Sequence, residues 1–221
     1  MNFGGMYNRN RPTADGQYLH SETHIDDYWP MNLQLLSDRL IFTPLELADI
    51  DLAVELWTDP EVVRYIEEVS TEAEIRQEMP DVIKRGGNGA IGEWCIADRE
   101  AGEKLGSAYL LPMPTEEDDI VYGLLDMGQM PDADIEVGYF LKRSAWGQGY
   151  ATEICKRMLQ FAFQEALLNK VVASVDASNV ASRNVLEKSG FLYAGRTLCW
   201  GKDSPIYKIT RDEWIEMRQS P

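Results

Sequence analysis

The stretch WGQGYATE, residues 146–153, constrains the fold of this chain more than any other. Two glycines flank a glutamine, and the sequence then runs without a break into helix-forming residues. Glycine lets the backbone, and whatever lies against it, approach closely. The first N–H groups of a helix have no intrahelical partner and carry partial positive charge. A glycine turn that opens a helix can therefore hold an anion, most often a phosphate. Taken alone, Gly147 and Gly149 read equally well as a tight strand-to-helix turn.

The surrounding residues narrow the choice of phosphate. A Walker loop needs Lys-Ser or Lys-Thr after the second glycine, and here Tyr150 follows Gly149, which excludes ATP hydrolysis. The dinucleotide fingerprint needs a third small residue where Thr152 stands and an acidic residue closing the next strand, a place Asp176 fills. Its position two-thirds along the chain, after antiparallel-looking strands, argues against that reading. Lys142 and Arg143 before the turn, with Arg183 and Lys188 on the following helix, are local cations for a polyanion.

Those cations matter because the chain is acidic, with 21 Lys and Arg against 37 Asp and Glu, a net charge of −16. Such a field repels nucleic acid and anionic lipid, so neither is expected as a partner, and it attracts a cationic substrate. Screening confines each local patch to roughly 8–10 Å. Three scattered cysteines, Cys95, Cys155 and Cys199, make neither a disulfide framework nor a zinc knuckle. Cys155 reads as a small buried hydrophobe. No apolar run reaches membrane-spanning length and no signal-peptide segment opens the sequence, so a reduced, cytoplasmic protein is expected.

The 221 residues divide into a polar arm, 1–36, and a single domain, 37–221. The arm contains the only histidines, His20 and His24, which read as solvated side chains, and no metal is expected. RLIFTPL alternates like a strand, and LELADIDLAVELWTDPEVVRYI reads as two short helices broken at Asp59-Pro60. Thr71 and Glu74 have capping-box spacing at the start of the next helix, which Pro80 should kink and Gly86-Gly87 should end. EWCIADRE, KLGSAYLLPM and IEVGYFL read as strands. An acidic loop with Glu116, Glu117, Asp118 and Asp119 precedes the last of them. A helix is expected from Tyr150 to about Leu168, with Ala151, Ile154, Cys155, Met158, Phe161, Ala162 and Leu167 on its apolar face. KVVASVD is then a strand, SRNVLEKSG a short helix, FLYAGRTLCWG a strand, and SPIYKITRDEWIEM a strand with a last turn.

In that order, RLIFTPLELADIDLAVELWTDPEVVRYI, IEVGYFL, WGQGYATE and SNVASRNVLEKSGF resemble the GNAT superfamily of acyl-CoA N-acyltransferases. Within it they are most similar to the branch that contains the bacterial ribosomal-protein N-terminal acetyltransferases. The resemblance runs from about Arg39 to Trp200. It implies an α+β fold: a strongly twisted mixed β-sheet, splayed at the fourth strand, IEVGYFL, and flanked by helices on both faces. Acetyl-CoA would lie in the split as cosubstrate. Its pantetheine arm would pair with backbone groups of Phe140, Leu141 and Lys142. Its pyrophosphate would sit on Trp146, Gly147, Gln148, Gly149, Tyr150, Ala151 and Thr152. Asn179, Ser182 and Asn184 would face it from the next helix. Many relatives have a tyrosine acid where this chain has Leu186.

Acetylating an amine requires a neutral nitrogen, whereas a free alkyl amine with a pKa of about 10 is mostly protonated near neutral pH. A carboxylate, directly or through water, can take that proton. Glu136, two residues before Gly138 and on the same face as Gly138 and Phe140, is the base that the resemblance implies; as a bare sequence feature it reads equally as an exposed strand carboxylate. Ser182 is the implied acid for the leaving thiolate, with a helix cap or cofactor contact as its plainer reading. The expected partners are acetyl-CoA and an amine acceptor, either a peptide N-terminus or a small cationic amine, with a homodimer left open. The alternative is a non-catalytic acyl-CoA-binding module.

Overall fold

The computed structural model describes residues 31–66, 69–113, 125–199 and 202–219. They belong to one compact unit spanning Met31–Pro221. The acidic residues 116–119 and both histidines lie outside the described residues.

The elements follow in chain order as β1 (Leu35–Leu36), β2 (Leu40–Pro44), α1 (Ile50–Trp57), α2 (Pro60–Val63), α3 (Glu72–Val82), β3 (Gly92–Asp98) and β4 (Lys104–Pro112). After these come β5 (Ile135–Leu141), α4 (Tyr150–Gln160), β6 (Lys170–Ser174), α5 (Val180–Lys188), β7 (Leu192–Cys199), β8 (Lys202–Thr210) and α6 (Arg211–Gln219). The strands form one mixed sheet in the order β1-β2-β3-β4-β5-β6-β8-β7. IEVGYFL is the fifth strand rather than the fourth, because Leu35–Leu36 pairs with Phe42 and Ile41 at the edge.

Two apolar layers cover the sheet. Cross-strand partners share a face, so Trp94, Ala108 and Tyr139 point one way and Glu93, Tyr109 and Gly138 the other. The first face packs Trp94, Ile96, Ala108, Leu110 and Val137 against Ile154, Met158 and Phe161 of the α4 side. The second packs Cys95 and Phe140 beneath Leu52, Leu56, Ile75 and Met79 of α1 and α3. Helix α3 opens on the Thr71–Glu74 capping box, and Pro80 lies in its last turn.

Two local expectations need correction. The helix expected to reach Leu168 is α-helical only to Gln160 and widens to π spacing over Phe161–Glu165, where Ala166 N–H donates to Phe161 O at 2.9 Å. The extra residue in that turn shifts the face that follows. Leu167 takes a φ of 55° and is 64% exposed, while Leu168 turns inward. At the other end, the expected last turn is a nine-residue helix. Thr210 and Glu213 bond reciprocally across its start, at 2.8 and 3.3 Å, and Trp214 anchors it in the core.

The functional consequence of the topology lies between β5 and β6. Toward β4, strand β5 pairs along its whole length, from Ile135 to Leu141. Toward β6 it pairs in parallel at one position only, Glu136 with Val172. Beyond that rung the two strands separate, and the sheet opens.

Candidate active site

The opening leads into a cleft of about 900 Å³. Of the fourteen positions expected to form a site, Lys142 and Gln148 lie outside its lining; Glu136, Phe140, Leu141, Trp146, Gly147, Gly149, Tyr150, Ala151, Thr152, Asn179, Ser182 and Asn184 are brought together along it.

The glycine turn forms one end. A short 3₁₀ turn, Arg143–Ala145, leads from β5 into it, and α4 begins with Gly149 as its N-cap at φ 80° and ψ 1°. Only glycine takes that left-handed conformation without cost. A Cβ built at Gly147 would meet nothing within 4 Å, and one at Gly149 only the Arg39 guanidinium at 3.7 Å, so the space over the turn is open. No side chain caps α4, so the first N–H groups of the helix are left without a side-chain partner. Residues and space fit a bound diphosphate.

Arg39 holds the turn in place. Its Nη1 donates to Gln148 O at 3.0 Å, its Nε to Glu153 Oε2 at 2.8 Å, and its guanidinium lies 4.3 Å from the centre of the Tyr150 ring. Its backbone N–H and the Ser37 hydroxyl both bond Glu153 Oε1, at 2.8 and 2.7 Å. Burial pushes the Glu153 carboxyl upward, but these hydrogen bonds outweigh it and hold the group below the usual carboxylate range.

The cations expected beside the turn are largely engaged elsewhere. Lys142 Nζ pairs with Glu55 at 2.6 Å, and Arg143 Nε pairs with Asp59 at 2.8 Å. Both side chains reach back to the helices over the opposite face. Among the expected cations it is Lys188 that lines the cleft.

The pairing atoms along β5 also differ from expectation. Lys142 N–H already donates to Leu105 O at 2.9 Å. Main-chain groups alternate sides along a strand, so Phe140 and Lys142 address β4 while Tyr139 and Leu141 address the gap. The Leu141 carbonyl there accepts from the Trp146 indole at 2.8 Å, which folds the tryptophan back over the strand end. Tyr139, next to the expected residues, therefore presents its backbone to the split.

Glu136 lies at the last rung before the split and is 2% exposed, which removes the exposed-carboxylate reading. Its Oε1 accepts from both the N–H and the hydroxyl of Ser174, at 2.7 and 2.6 Å. Its Oε2 is buried without a hydrogen-bond partner. Burial pushes the carboxyl above its ordinary range, and the two Ser174 hydrogen bonds pull the opposite way. Cys199, itself buried, places its thiol 3.7 Å from the Ser174 hydroxyl, and burial raises that thiol to about 11.

Ser182 sits in the first turn of α5. Asn179 caps that helix by accepting from Ser182 N–H at 3.0 Å, so Asn179 Oδ1 is spent on the fold. The Ser182 hydroxyl lies 3.3 Å from the Tyr139 hydroxyl, which burial raises to about 12. Leu186 is buried and lines the same wall.

Sequence reading missed Ser174, Tyr139 and Tyr109. Ser174 is 38 residues from Glu136, and only the pairing of β5 with β6 joins them. Tyr109 had a readable counterpart in Gly138: a Cβ there would fall 2.0 Å from Tyr109 Cζ, so the phenol ring lies across the glycine. Among the described residues no group of three or more His, Cys, Asp or Glu side chains could hold a metal, and no helix is long and apolar enough to cross a membrane.

Comparison with known proteins matches this geometry to a family. Residues 39–192 fit the family model described as an acetyltransferase (GNAT) domain. The uncharacterized protein YkkB of Bacillus subtilis is 28% identical over 177 residues, which is 79% of this chain and 94% of YkkB. The uncharacterized N-acetyltransferase p20 of Bacillus licheniformis is 26% identical over 166 residues, 73% of this chain and 83% of p20. Among solved structures, the aminoglycoside acetyltransferase AAC(6')-Ib with acetyl-CoA aligns at a TM-score of 0.64 and 14% identity, over 83% of this chain and 100% of that one. At such identity the likeness speaks for the fold alone.

Proposed function

The chain belongs to the GNAT family of acetyltransferases, enzymes of acetyl-CoA-dependent acetyl transfer, and from that premise we propose that its acceptor is a primary amine acetylated by direct attack, with Glu136 as the base. The observation that carries this reading is the asymmetric Glu136 carboxylate. One oxygen is fixed by Ser174, and the other is buried without a partner at the point where the strands part. An ammonium group, or a water bonded to one, would satisfy that second oxygen. A carboxyl raised by burial is also a stronger proton acceptor near neutral pH than an ordinary one.

The other roles follow from position. Gly147 to Thr152 offer backbone N–H groups to the diphosphate, and Tyr139 and Leu141 offer main-chain groups to the pantetheine arm. When bound, acetyl-CoA supplies the activated acyl group. Ser182, with Tyr139 behind its hydroxyl, faces the cleft from α5 as the proton donor for the thiolate side. The acceptor's nitrogen enters from the face lined by Glu136, Gly138 and Tyr109. A cationic acceptor, small or a peptide N-terminus, suits a chain of net charge −16. The solved AAC(6')-Ib structure, of the same fold, is a complex with paromomycin and acetyl-CoA.

The test is Glu136→Gln, assayed by thiol release and by calorimetric CoA binding. Loss of a general base predicts a fall in kcat/KM of roughly 10²- to 10⁴-fold with CoA affinity kept. Intact turnover would remove Glu136 from the chemistry.

A further inference from the structure

One face of the cleft carries a row of residues that the chemistry at Glu136 uses at one end only. Along one face of β5 stand Glu136, Gly138 and Phe140, a row of about 13 Å at strand spacing. The Tyr109 ring lies over Gly138, and its centre is 6.2 Å from that of Phe140. Trp57, at the end of α1, packs on Phe140 from above at 4.6 Å and lines the cleft beside Tyr109. The row thus runs from a buried carboxylate oxygen without a partner to a tilted aromatic cluster.

The charges around this row are mixed: Glu61, Glu78, Glu93 and Asp176 line the cleft together with Arg64, Lys188 and Lys202. Glu61 on the wall is already paired with Arg64 at 2.9 Å. Glu93, one strand beyond Tyr109, has the half-buried Arg85 beside it, whose Nη1 donates to the Glu93 carbonyl at 2.5 Å. Glu136 Oε2, buried without a partner, is the acceptor that an entering ammonium group would satisfy. A polycation would also meet the other carboxylates, but it has no apolar body to set on the aromatic cluster.

Resting on the acetyltransfer reading above, we propose that the acceptor carries one ammonium group attached to an aromatic or bulky apolar body, which seats on Tyr109, Phe140 and Trp57 while its nitrogen reaches Glu136. That chemistry is met by a free arylalkylamine and by a peptide with an aromatic first residue. Transfer forms the bond from the amine nitrogen to the acetyl carbonyl carbon and breaks the thioester's carbon–sulfur bond; of the two protons the ammonium group loses, one goes to Glu136 and the other leaves on CoA as its thiol proton. No further reactant is needed.

Thiol release by the full-length protein is to be measured with 2-phenylethylamine, a peptide beginning with phenylalanine, spermidine and kanamycin. The expected result is a kcat/KM for one of the aromatic acceptors at least about tenfold above both polycations, and the better of the two identifies the source. Trp57→Ala should raise KM for that acceptor roughly tenfold, with CoA affinity unchanged. Should that variant not fold, Tyr109→Leu is read in the same way. Preference for spermidine or kanamycin, or no preference, overturns this inference and leaves amine acetylation standing. No turnover with any amine overturns both.

Discussion

The two ends of the cleft solve different problems with different materials. At the glycine turn everything offered to a ligand is main chain: α4 begins on an uncapped glycine, and the nearby Lys142 and Arg143 are paired with Glu55 and Asp59. At the split the chemistry rests on side chains set beside the free main chain of β5: a buried carboxyl, a serine that fixes one of its oxygens, and a phenol laid over a glycine. The first end needs conformation and open space and is indifferent to which polar residues surround it. The second depends on burial, and burial makes its chemistry sensitive to pH and to single hydroxyl groups.

The largest test of this contrast is at the turn. Gly149→Val forces a β-branched residue into a φ of 80° and fills the open space. CoA affinity should fall about a hundredfold while far-ultraviolet circular dichroism stays native. Unchanged affinity would mean that the turn is not the diphosphate site.

Next comes Ser174→Ala, which removes the hydroxyl that favours the ionised form of Glu136. The base would then titrate still higher. The rise of kcat/KM with pH should shift to higher pH, with a loss of about tenfold at pH 7 and CoA affinity unaltered. Ser174→Thr should restore the profile. A merely structural role for Ser174 would lower stability without moving that limb.

Arg39→Ala probes how firmly the turn is held. Arg39 joins β2 to Gln148, Tyr150 and Glu153, but its side chain is nearly half exposed, so solvent screens the ion pair. A three- to tenfold weaker CoA affinity is expected, roughly 1 kcal/mol, read by calorimetry. A loss as large as that of Gly149→Val would make Arg39 itself a ligand.

The smallest effect concerns stability at the other end. Glu136 has a folded-state pKa above its unfolded value, so its contribution is fully present below the unfolded value of about 4.3 and is lost as pH rises through the folded one. Glu136→Gln escapes that loss. The variant should melt about 2–4 °C higher than the parent at pH 8, with the difference vanishing near pH 4. Equal melting temperatures at both pH values would mean that the carboxyl is not destabilised by burial.

The same contrast decided what could be read from sequence. The glycine turn, the Thr71–Glu74 capping box and the strand IEVGYFL are local patterns, and each stands where its residues indicated. The mixed sheet and its split were legible through the order of several motifs. Ser174 was not, because no local rule links it to Glu136 across a parallel strand pair. Tyr139 was not either, although it lies within IEVGYFL, because which main-chain groups face the gap depends on the register with β4. Lys142 and Arg143 read as phosphate ligands only until α1 and α2 claimed their charges. Leu167 misled through a π turn, which shifts helical phase without any mark in residue type.

The single rung between β5 and β6 also has a mechanical meaning. The sheet is two leaves, β1–β5 and β6–β8, sewn along that line by one stitch at Glu136 and Val172. A molecule lying in the seam would serve as a temporary strand as well as a reactant. Each catalytic cycle would then fasten the leaves on loading and loosen them on release.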